Sequence, residues 1–234
     1  LITYIGGCLS RSEFFLFKSF FIYLFCYLYK PDLNEYEKTS IKEYKSFNDF
    51  FTRRLNLEIR DIDSSESVII SPVDGIVASY GKINFGKLIQ AKKIKYSLAE
   101  LIRNKDLEKY LTDGFFITIY LAPKNYHRIH FPFGGTIKET KYFKGGLYRV
   151  NNSSRRNINS LYTRNERTLV HVDSKKFSYT LISVGAFMVG GIIPFWLDNR
   201  YHSKKDVISA WDKGPVGNLV EIKKAQELGY FEMG

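Results

Sequence analysis

Short runs of β-branched and aromatic residues follow one another from residue 67 onward, and they limit the folds that this chain can adopt. Such runs, separated by polar or glycine-containing segments, are typical of strands. Many short strands with few helices favour a β-rich barrel or sandwich, within the α+β class. We predict strands at six runs: Ser67–Ile70, Gly75–Tyr80, Phe115–Leu121, Thr168–Val172, Ser178–Val184 and Phe187–Ile193.

Two short helices are predicted by capping signals. In the segments 46–49 and 97–100, a serine is followed three residues later by an acidic residue. This spacing is the start signal of a helix, because both side chains can bond to free backbone N–H groups. The first signal predicts a short helix that runs through Arg54, and the second predicts a helix near residues 97–103.

The N-terminal part of the chain contains an apolar segment, Phe14–Tyr29, which is interrupted only by Lys18 and Ser19. Its 16 residues fall short of the roughly 20 that a membrane-spanning helix needs, and no small-residue cleavage site of a secretory signal accompanies it. Basic residues near both ends favour a helix that lies in a membrane interface; the alternative is a buried core helix. We therefore divide the chain into residues 1–45, a helical membrane-associating segment with its linker, and residues 46–234, a β-rich domain.

The net charge of +11, from 35 basic and 24 acidic residues, favours an anionic partner such as nucleic acid, an anionic lipid or an acidic substrate. The segment 138–167 holds eight basic and two acidic residues. We interpret it either as a solvated loop centred on residues 151–160 or as a patch that faces lipid or phosphate. No nucleic-acid-binding motif accompanies the charge, so we expect no nucleic acid partner. With only two cysteines, the chain is not a disulfide-stapled secreted domain.

Two of the four histidines, His127 and His130, lie in the segment Tyr120–Pro132, which reads YLAPKNYHRIHFP. Side chains alternate along an extended segment, so residues three apart point to opposite faces unless the chain turns between them. The two histidines could be structural and hydrogen-bonded, or they could take part in chemistry. A zinc site completed by His171 or His202 lacks a nearby cluster of Cys or Glu ligands, and we therefore predict no metal.

Several separated segments resemble the motifs of the phosphatidylserine decarboxylase family, in the order in which that family has them. The resemblance runs from about residue 46 to the end of the sequence. The segments are Phe50–Arg53, Ser71–Gly75, Tyr120–Pro132, Phe143–Tyr148, Asn165–Arg167, Val184–Ala186 and the ending Gly229–Gly234.

The resemblance implies that the chain is the β chain of a proenzyme that cuts itself between Gly234 and a following serine. It assigns Asp74 and His130 to the activation of that serine, His127 to the decarboxylation, and Tyr120 to a secondary role in orienting the site. A hydroxyl nucleophile needs a base, which a histidine oriented by a carboxylate supplies. A histidine that titrates near neutrality also suits proton delivery. From the residues alone, Asp74 would be a turn-forming aspartate and Tyr120 a core tyrosine.

The resemblance also implies a cofactor and partners. The serine would become a covalent pyruvoyl group on the α chain, and the amine of phosphatidylserine would form a Schiff base with it before CO2 leaves and phosphatidylethanolamine is released. Expected partners are the α chain, phosphatidylserine and an anionic membrane surface, and the resemblance admits a homodimer of αβ units. The expected location is a membrane surface, peripheral or monotopic: the cell membrane in a bacterium, and the endoplasmic reticulum or mitochondrial inner membrane in a eukaryote. A non-catalytic module that binds a membrane surface is the alternative, supported by the basic segment and the apolar N-terminal segment.

Overall fold

The helices are short and lie mainly in the first half of the chain. The computed structural model describes residues 2–91, 94–197, 207–209 and 220–234. Two turns of 3-10 helix, Leu33–Glu35 and Ile41–Glu43, connect the N-terminal helices to the rest of the protein. The α-helices of the described residues are α1 (Ile2–Ser10), α2 (Phe15–Tyr29), α3 (Phe47–Phe51), α4 (Leu98–Ile102), α5 (Lys105–Leu111), α6 (Asn152–Asn157) and α7 (Leu161–Arg164).

The strands form antiparallel sheets around two apolar cores, which confirms the α+β class. The largest sheet has the order β10-β6-β7-β8, and β11 also pairs with β6. A second sheet has the order β5-β12-β9, and two smaller sheets pair β1 with β4 and β2 with β3. The strands are β1 (Ile76–Lys82), β2 (Lys87–Ala91), β3 (Ile94–Ser97), β4 (Phe115–Tyr120), β5 (Arg128–His130), β6 (Gly135–Phe143), β7 (Arg167–Asp173), β8 (Ser178–Val184), β9 (Val189–Pro194), β10 (Val207–Ser209), β11 (Glu221–Ile222) and β12 (Glu227–Met233).

Five of the six strand predictions are confirmed, as β1, β4, β7, β8 and β9. The prediction of a strand at Ser67–Ile70 is wrong. There the carbonyl of Val68 accepts a hydrogen bond from the side chain of Lys224, and the N–H of Ile70 donates to the carbonyl of Pro132. The segment is therefore held by isolated bonds and has no neighbouring strand with which to form a ladder.

Both capped helices are present, although they end earlier than predicted. Ser46 accepts a hydrogen bond from the N–H of Asp49 at the start of α3, and Ser97 accepts one from the N–H of Glu100 at the start of α4. The helix α3 ends at Phe51, three residues before Arg54. The interpretation of residues 151–160 as a loop is wrong in part, because α6 occupies residues 152–157.

The apolar segment at the N-terminus is helical, as predicted. One face of α2 buries Ile22 and Phe25 against Tyr44 and Phe50. Large side chains on the other face, such as Phe20, are exposed. The helix is apolar on both faces, so that one face is part of a core while the other is open, and its association with a membrane stays a prediction. Within the described residues no single helix could cross a bilayer, whereas α1 and α2 together meet the length and composition required but are bent by 110° at their junction.

Candidate active site

His127 is held in a dry position at the start of β5. A turn at residues 122–125 precedes it, closed by the Asn125 side-chain oxygen, which accepts from the N–H of Ala122 at 2.8 Å. The His127 ring is 4.0 Å from the ring of Phe51, and its Nδ1 donates to the carbonyl of Asn125 at 2.8 Å. The residue is 2% exposed, and it lines the large groove described below.

The pKa of His127 is lowered to about 3, mainly by burial and in part by the positive charge of Arg53, against the opposing effect of the Asn125 carbonyl. The ring is therefore neutral near pH 7, with its proton on Nδ1. Its Nε2 has no hydrogen-bond partner within the described residues. A nitrogen with a free lone pair at the wall of a groove can exchange a proton with a bound molecule.

Arg53 supports the turn that holds His127. It is 2% exposed and donates to the carbonyls of Lys124 at 2.9 Å and of Asn125 at 3.4 Å. Its guanidinium also lies 4.4 Å from the centre of the Tyr36 ring. The carbonyl that orients His127 is thus itself fixed by a buried cation.

His130 has neighbours that differ from those of His127. Its Nδ1 bonds to the carbonyl of Ala225 at 2.8 Å, and its Nε2 bonds to the hydroxyl of Tyr126 at 2.9 Å. Because a carbonyl only accepts, Nδ1 carries the proton and Nε2 accepts from the tyrosine. Burial raises the pKa of Tyr126 well above its usual range, so this hydroxyl stays protonated. The separate environments agree with the expectation that the two rings do not share one position.

Asp74 lies close to His130 along the backbone but does not bond to its ring. The N–H of His130 donates to the carbonyl of Pro72 at 2.9 Å, which ties β5 to the loop that carries Asp74. The carboxylate of Asp74 pairs with Arg60, whose Nη1 lies 3.2 Å from Oδ1 and 3.0 Å from Oδ2. The proposed Asp74–His130 pair therefore requires a rearrangement of these side chains.

Tyr120 ends β4 and is half-buried in the wall of the same groove as His127. Its backbone is closely packed, since a Cβ added to Gly75 would lie 2.6 Å from the carbonyl oxygen of Tyr120. The structure thus brings Tyr120 and His127 to one cavity.

The strand β12 crosses this site and ends at Met233, the residue before Gly234. The N–H of Phe231 donates to the carbonyl of His127 at 2.9 Å, and the N–H of Gly234 donates to the carbonyl of Met188 at 3.0 Å. Glu232 accepts from Asn48 at 3.1 Å and from Arg11, the residue that follows α1, at 2.6 Å. Gly234 has a φ of +107°, which favours glycine. The end of β12 is therefore held by α1, α3 and the turn before β9.

A groove of about 610 Å³ adjoins this site. We call it the β4–β8 groove, because consecutive residues of both strands, 115–121 and 178–184, form its walls. Its lining is mainly apolar, and at one end it reaches His127, Phe231 and the turn that contains Phe187. Arg149, stacked on the Phe187 ring at 4.7 Å, also lines it.

Among the described residues, His171 and the basic segment do not form a second active site. His171 bonds to the hydroxyl of Thr180 on the neighbouring strand, and His202 lies outside the described residues. Within the part of the chain that the structure describes, no three His, Cys, Asp or Glu side chains cluster as metal ligands do. In the basic segment, Lys141 and Arg167 are buried, so its charge does not form one continuous patch.

Sequence reasoning did not indicate that Arg53, Tyr126 and Asn48 contact the site residues. Arg53 and Tyr126 lie within segments that carry the family resemblance, and this position is the sequence feature that could have identified them as site residues. Asn48 lies in the capping segment of α3, where its polar side chain was interpreted as part of a helix start rather than as a partner of Glu232 and Met233.

Comparison with known proteins defines the class to which this fold and site belong. The family model for phosphatidylserine decarboxylase matches residues 47–234, which is most of the chain.

Individual relatives extend the match to the N-terminus. Phosphatidylserine decarboxylase proenzymes from Psychrobacter arcticus and Idiomarina loihiensis are each 39% identical to this chain, over 233 and 236 residues. These alignments cover 100% of this chain and 82% and 81% of the two relatives. The proenzyme from Escherichia coli O9:H4 is 37% identical over 214 residues, which cover 90% of this chain and 66% of that protein. The chain belongs to the phosphatidylserine decarboxylase family.

Proposed function

We propose that this chain forms the β-chain region of a phosphatidylserine decarboxylase that cuts its own proenzyme and converts phosphatidylserine into phosphatidylethanolamine and CO2. The match of residues 47–234 to the family carries the proposal. The buried, neutral imidazole of His127 at the wall of an apolar groove supports it.

His130 and Asp74 act in the cleavage that follows Gly234. His130 takes the hydroxyl proton of the residue after Gly234, which makes that hydroxyl a nucleophile toward the Gly234 carbonyl. The new ester bond replaces the peptide C–N bond, and the released amine takes up the proton. Elimination across the serine Cα and Cβ then breaks the ester and leaves Gly234 with a carboxylate. For the first of these steps Nε2 exchanges its bond with Tyr126 for a bond with the serine hydroxyl. Asp74 then leaves Arg60 and orients or stabilises the charged imidazolium. Since Gly234 lacks a Cβ, its carbonyl is open to attack.

The surroundings of His127 fit a pyruvoyl group. That group is small and uncharged, so it suits a dry, apolar site that has one proton-exchanging nitrogen, and the His127 end of the groove offers this combination. When bound, the pyruvoyl group supplies the electron sink for loss of CO2. His127 exchanges the proton at the reacting carbon through Nε2, while the Asn125 carbonyl fixes the ring orientation. Tyr120 borders the same space, and Arg149 at the groove attracts the anionic headgroup of the lipid.

The N-terminal helices place the enzyme on a membrane surface. The open face of α2 presents aromatic side chains such as Phe20, Tyr23 and Tyr27, which suit the interface between water and lipid. Lys18 lies on the inner side of this helix, where its ammonium donates to the carbonyl of Tyr44 at 2.5 Å. The protein therefore binds the surface that contains its substrate without crossing it, as a peripheral or monotopic enzyme.

Two variants of the proenzyme test this function and separate the roles of the histidines. His130→Gln should leave a single uncut chain, because the serine hydroxyl has lost its base. His127→Gln should be cut normally but should lose activity on phosphatidylserine by about 10²–10⁴-fold, the usual contribution of a general acid or base. Maturation is measured by gel and intact mass, and turnover is measured as release of CO2 from the same preparation. Normal cutting by the His130 variant, or full turnover by the His127 variant, would contradict the assigned roles; an uncut, inactive wild-type protein would contradict the function itself.

A further inference from the structure

A second cavity, of about 430 Å³, lies between α4, the segment after β6 and α7. None of its lining residues borders the β4–β8 groove. Three cationic side chains line it: Arg103, which follows α4, Lys144, which follows β6, and Arg164, the last residue of α7. Among the described residues of this lining, Glu100 alone carries a carboxylate. We call this space the basic cavity, and the proposed reaction makes no use of it.

The three cations of the basic cavity have no counterion in the part of the chain that the structure describes. None of Arg103, Lys144 and Arg164 forms an ion pair there, and none donates a side-chain hydrogen bond to a described residue. Their N–H groups are therefore available to a ligand. Like charges around one cavity repel each other, and a cleft lined by one sign of charge concentrates ions of the opposite sign.

A fourth cation lies buried beneath the cavity. Arg167 is 1% exposed, and its guanidinium donates to the backbone carbonyls of Glu100 at 2.9 Å and of Thr163 at 2.7 Å, two residues of the cavity lining. Burial, and after it the positive charge of Arg103, lower the pKa of Arg167 to about 10, so the group is still charged at pH 7. No ion pair with a described residue balances it. Because buried charges are normally paired, an anion in the cavity would supply the counterion that Arg167 lacks.

The lining fits a phosphate group better than a carboxylate. The planar fork of an arginine matches two phosphate oxygens at once, and a lysine adds a point charge. Three cations can thus share the three or four oxygens of one phosphate group, whereas a carboxylate has only two. The guanidinium of Arg164 lies over the ring of Tyr148, 5.3 Å from its centre, which limits the directions in which it can point. The volume lies within the range of small-molecule sites, so an organic group esterified to the phosphate also has room.

We propose that the basic cavity binds a phosphate group, of an anionic lipid headgroup or of a free phosphate ester, separately from the substrate in the β4–β8 groove. The site goes beyond the proposed function and does not depend on it. Lys144 and Arg164 belong to the basic segment 138–167, for which the sequence left open a solvated loop or a patch that faces lipid or phosphate. The cavity assigns these two charges to phosphate.

Thermal unfolding of the cut enzyme in inorganic phosphate tests the binding. A ligand of the folded protein raises the Tm as its concentration rises, and sodium chloride at the same ionic strength measures screening alone. Arg103→Gln/Lys144→Gln removes two of the three cations and should weaken the apparent affinity for phosphate about tenfold or more. Lys138→Gln/Arg156→Gln is the matched control, because it removes the same charge from exposed positions outside the cavity. A Tm that rises no more in phosphate than in chloride, or equal affinities of the two double variants, would overturn the proposal.

Two further probes distinguish the sources of the phosphate group. If a lipid headgroup is the ligand, the cavity variant should float less than the control with vesicles of phosphatidylcholine and phosphatidylglycerol, and equally with phosphatidylcholine alone. If a free ester is the ligand, the two variants should float alike, and glycerol 3-phosphate should raise the Tm of the control but not that of the cavity variant. Turnover of phosphatidylserine in detergent micelles is measured on the same samples. A KM that rises in the cavity variant alone would make the cavity part of the substrate site and would overturn its separation from the groove.

Discussion

At the scale of single residues, the role proposed for His127 would link proton transfer to substrate binding. A neutral ring whose pKa is about 3 is a weak proton acceptor in the free site. An anionic substrate carboxylate in the same dry space would favour the charged imidazolium, because an opposite charge raises the pKa of a histidine. His127 would thus take up a proton when the substrate arrives and would have it available when CO2 leaves. The sequence indicated the histidine, but it could not indicate this state, which arises from burial and from contacts with Phe51 and Asn125.

Arg53 is the residue that we expect to maintain this state. Replacing it with methionine removes the bonds to the Lys124 and Asn125 carbonyls and also removes the buried positive charge. His127 should then be less well oriented and its pKa should rise, since both burial and Arg53 hold it down. The expected result is normal cutting, a lower kcat with a similar KM, and a basic limb of the pH–kcat profile that moves to higher pH, because proton delivery requires the charged ring.

Arg53→Lys keeps the charge but lacks the planar fork that reaches two carbonyls. It should lower kcat while shifting the pH profile less than the methionine variant. Arg54→Met is the matched control, because Arg54 is the exposed neighbour. Thermal unfolding of all three variants shows how much of any loss is due to folding. An unchanged pH profile in Arg53→Met would contradict the role assigned to its charge.

At the scale of elements, the strands found from the sequence are those rich in β-branched and aromatic residues, such as β4 and β8. The strand β6 was missed because its sequence, GTIKETKYF, is mostly polar and was interpreted as the start of a basic segment. Its partner strands decide its conformation, since β7, β10 and β11 all pair with it. The strand β12 was interpreted only as a motif that ends the sequence. Pairing across long separations, such as β12 with β5 and β9, leaves little trace in the local pattern.

The packing of α1 against β12 makes a prediction at this scale. A Cβ added to Gly7 would lie 2.7 Å from the Cα of Gly234 and 3.0 Å from the Met233 carbonyl oxygen. Both atoms belong to the backbone of the cleavage segment and cannot move aside freely. Gly7→Ala should therefore displace α1 or Gly234 and slow the cutting of the proenzyme, as measured by pulse-labelling and gel.

Gly6→Ala is the matched control for this prediction. The atoms nearest to a Cβ at Gly6 are the sulfur and methyl group of the Met188 side chain, which can adopt another rotamer. Both variants change helix propensity by the same amount, so a difference between them reports the contact with Gly234. Cutting at the same rate in the two variants would show that the approach of Gly7 does not matter for processing.

At the scale of the whole molecule, the two roles proposed for the N-terminal helices can be separated by substitution. Gly7 on α1 and Arg11, which follows α1, contact the end of β12, whereas the open face of α2 points away from the core. Removal of residues 1–30 would therefore disturb the cleavage site as well as binding to membranes. The predicted domain boundary between residues 45 and 46 stays a prediction. Side chains of α2 pack directly on α3 across this boundary.

Substitution of Phe20, Tyr23 and Tyr27 by serine isolates the membrane role. All three side chains are more than 60% exposed, so folding and cutting should be unchanged. Binding to vesicles that contain phosphatidylserine should fall sharply in flotation experiments, because the apolar area available to the interface is reduced. Serine at Tyr80 and Ile117, which are exposed on the β1–β4 sheet, is the control. Unchanged flotation of the α2 variant, with loss in the control, would assign membrane binding to that sheet instead.

The buried His127 also affects the stability of the whole molecule in acid. In the folded protein its pKa is lowered from 6.5 to about 3, so between these values the unfolded chain binds a proton that the folded protein does not. The free energy of unfolding should therefore rise with pH in this window and be lost as the pH falls from about 6.5 toward 3, with a contribution of about 1.4 kcal/mol per pH unit from this group. Urea unfolding of the cut wild-type enzyme and of His127→Gln at pH 5, 6 and 7 gives the free energy of unfolding as a function of pH for each protein. Subtracting the slope of the variant from that of the wild type removes the contribution of the carboxylates, which both proteins share. Glutamine keeps a hydrogen-bonding side chain but does not titrate. The free energy of unfolding of the variant should therefore depend less steeply on pH below 6.5 than that of the wild type. Parallel slopes for the two proteins would mean that the folded protein accommodates a charged imidazole at this position.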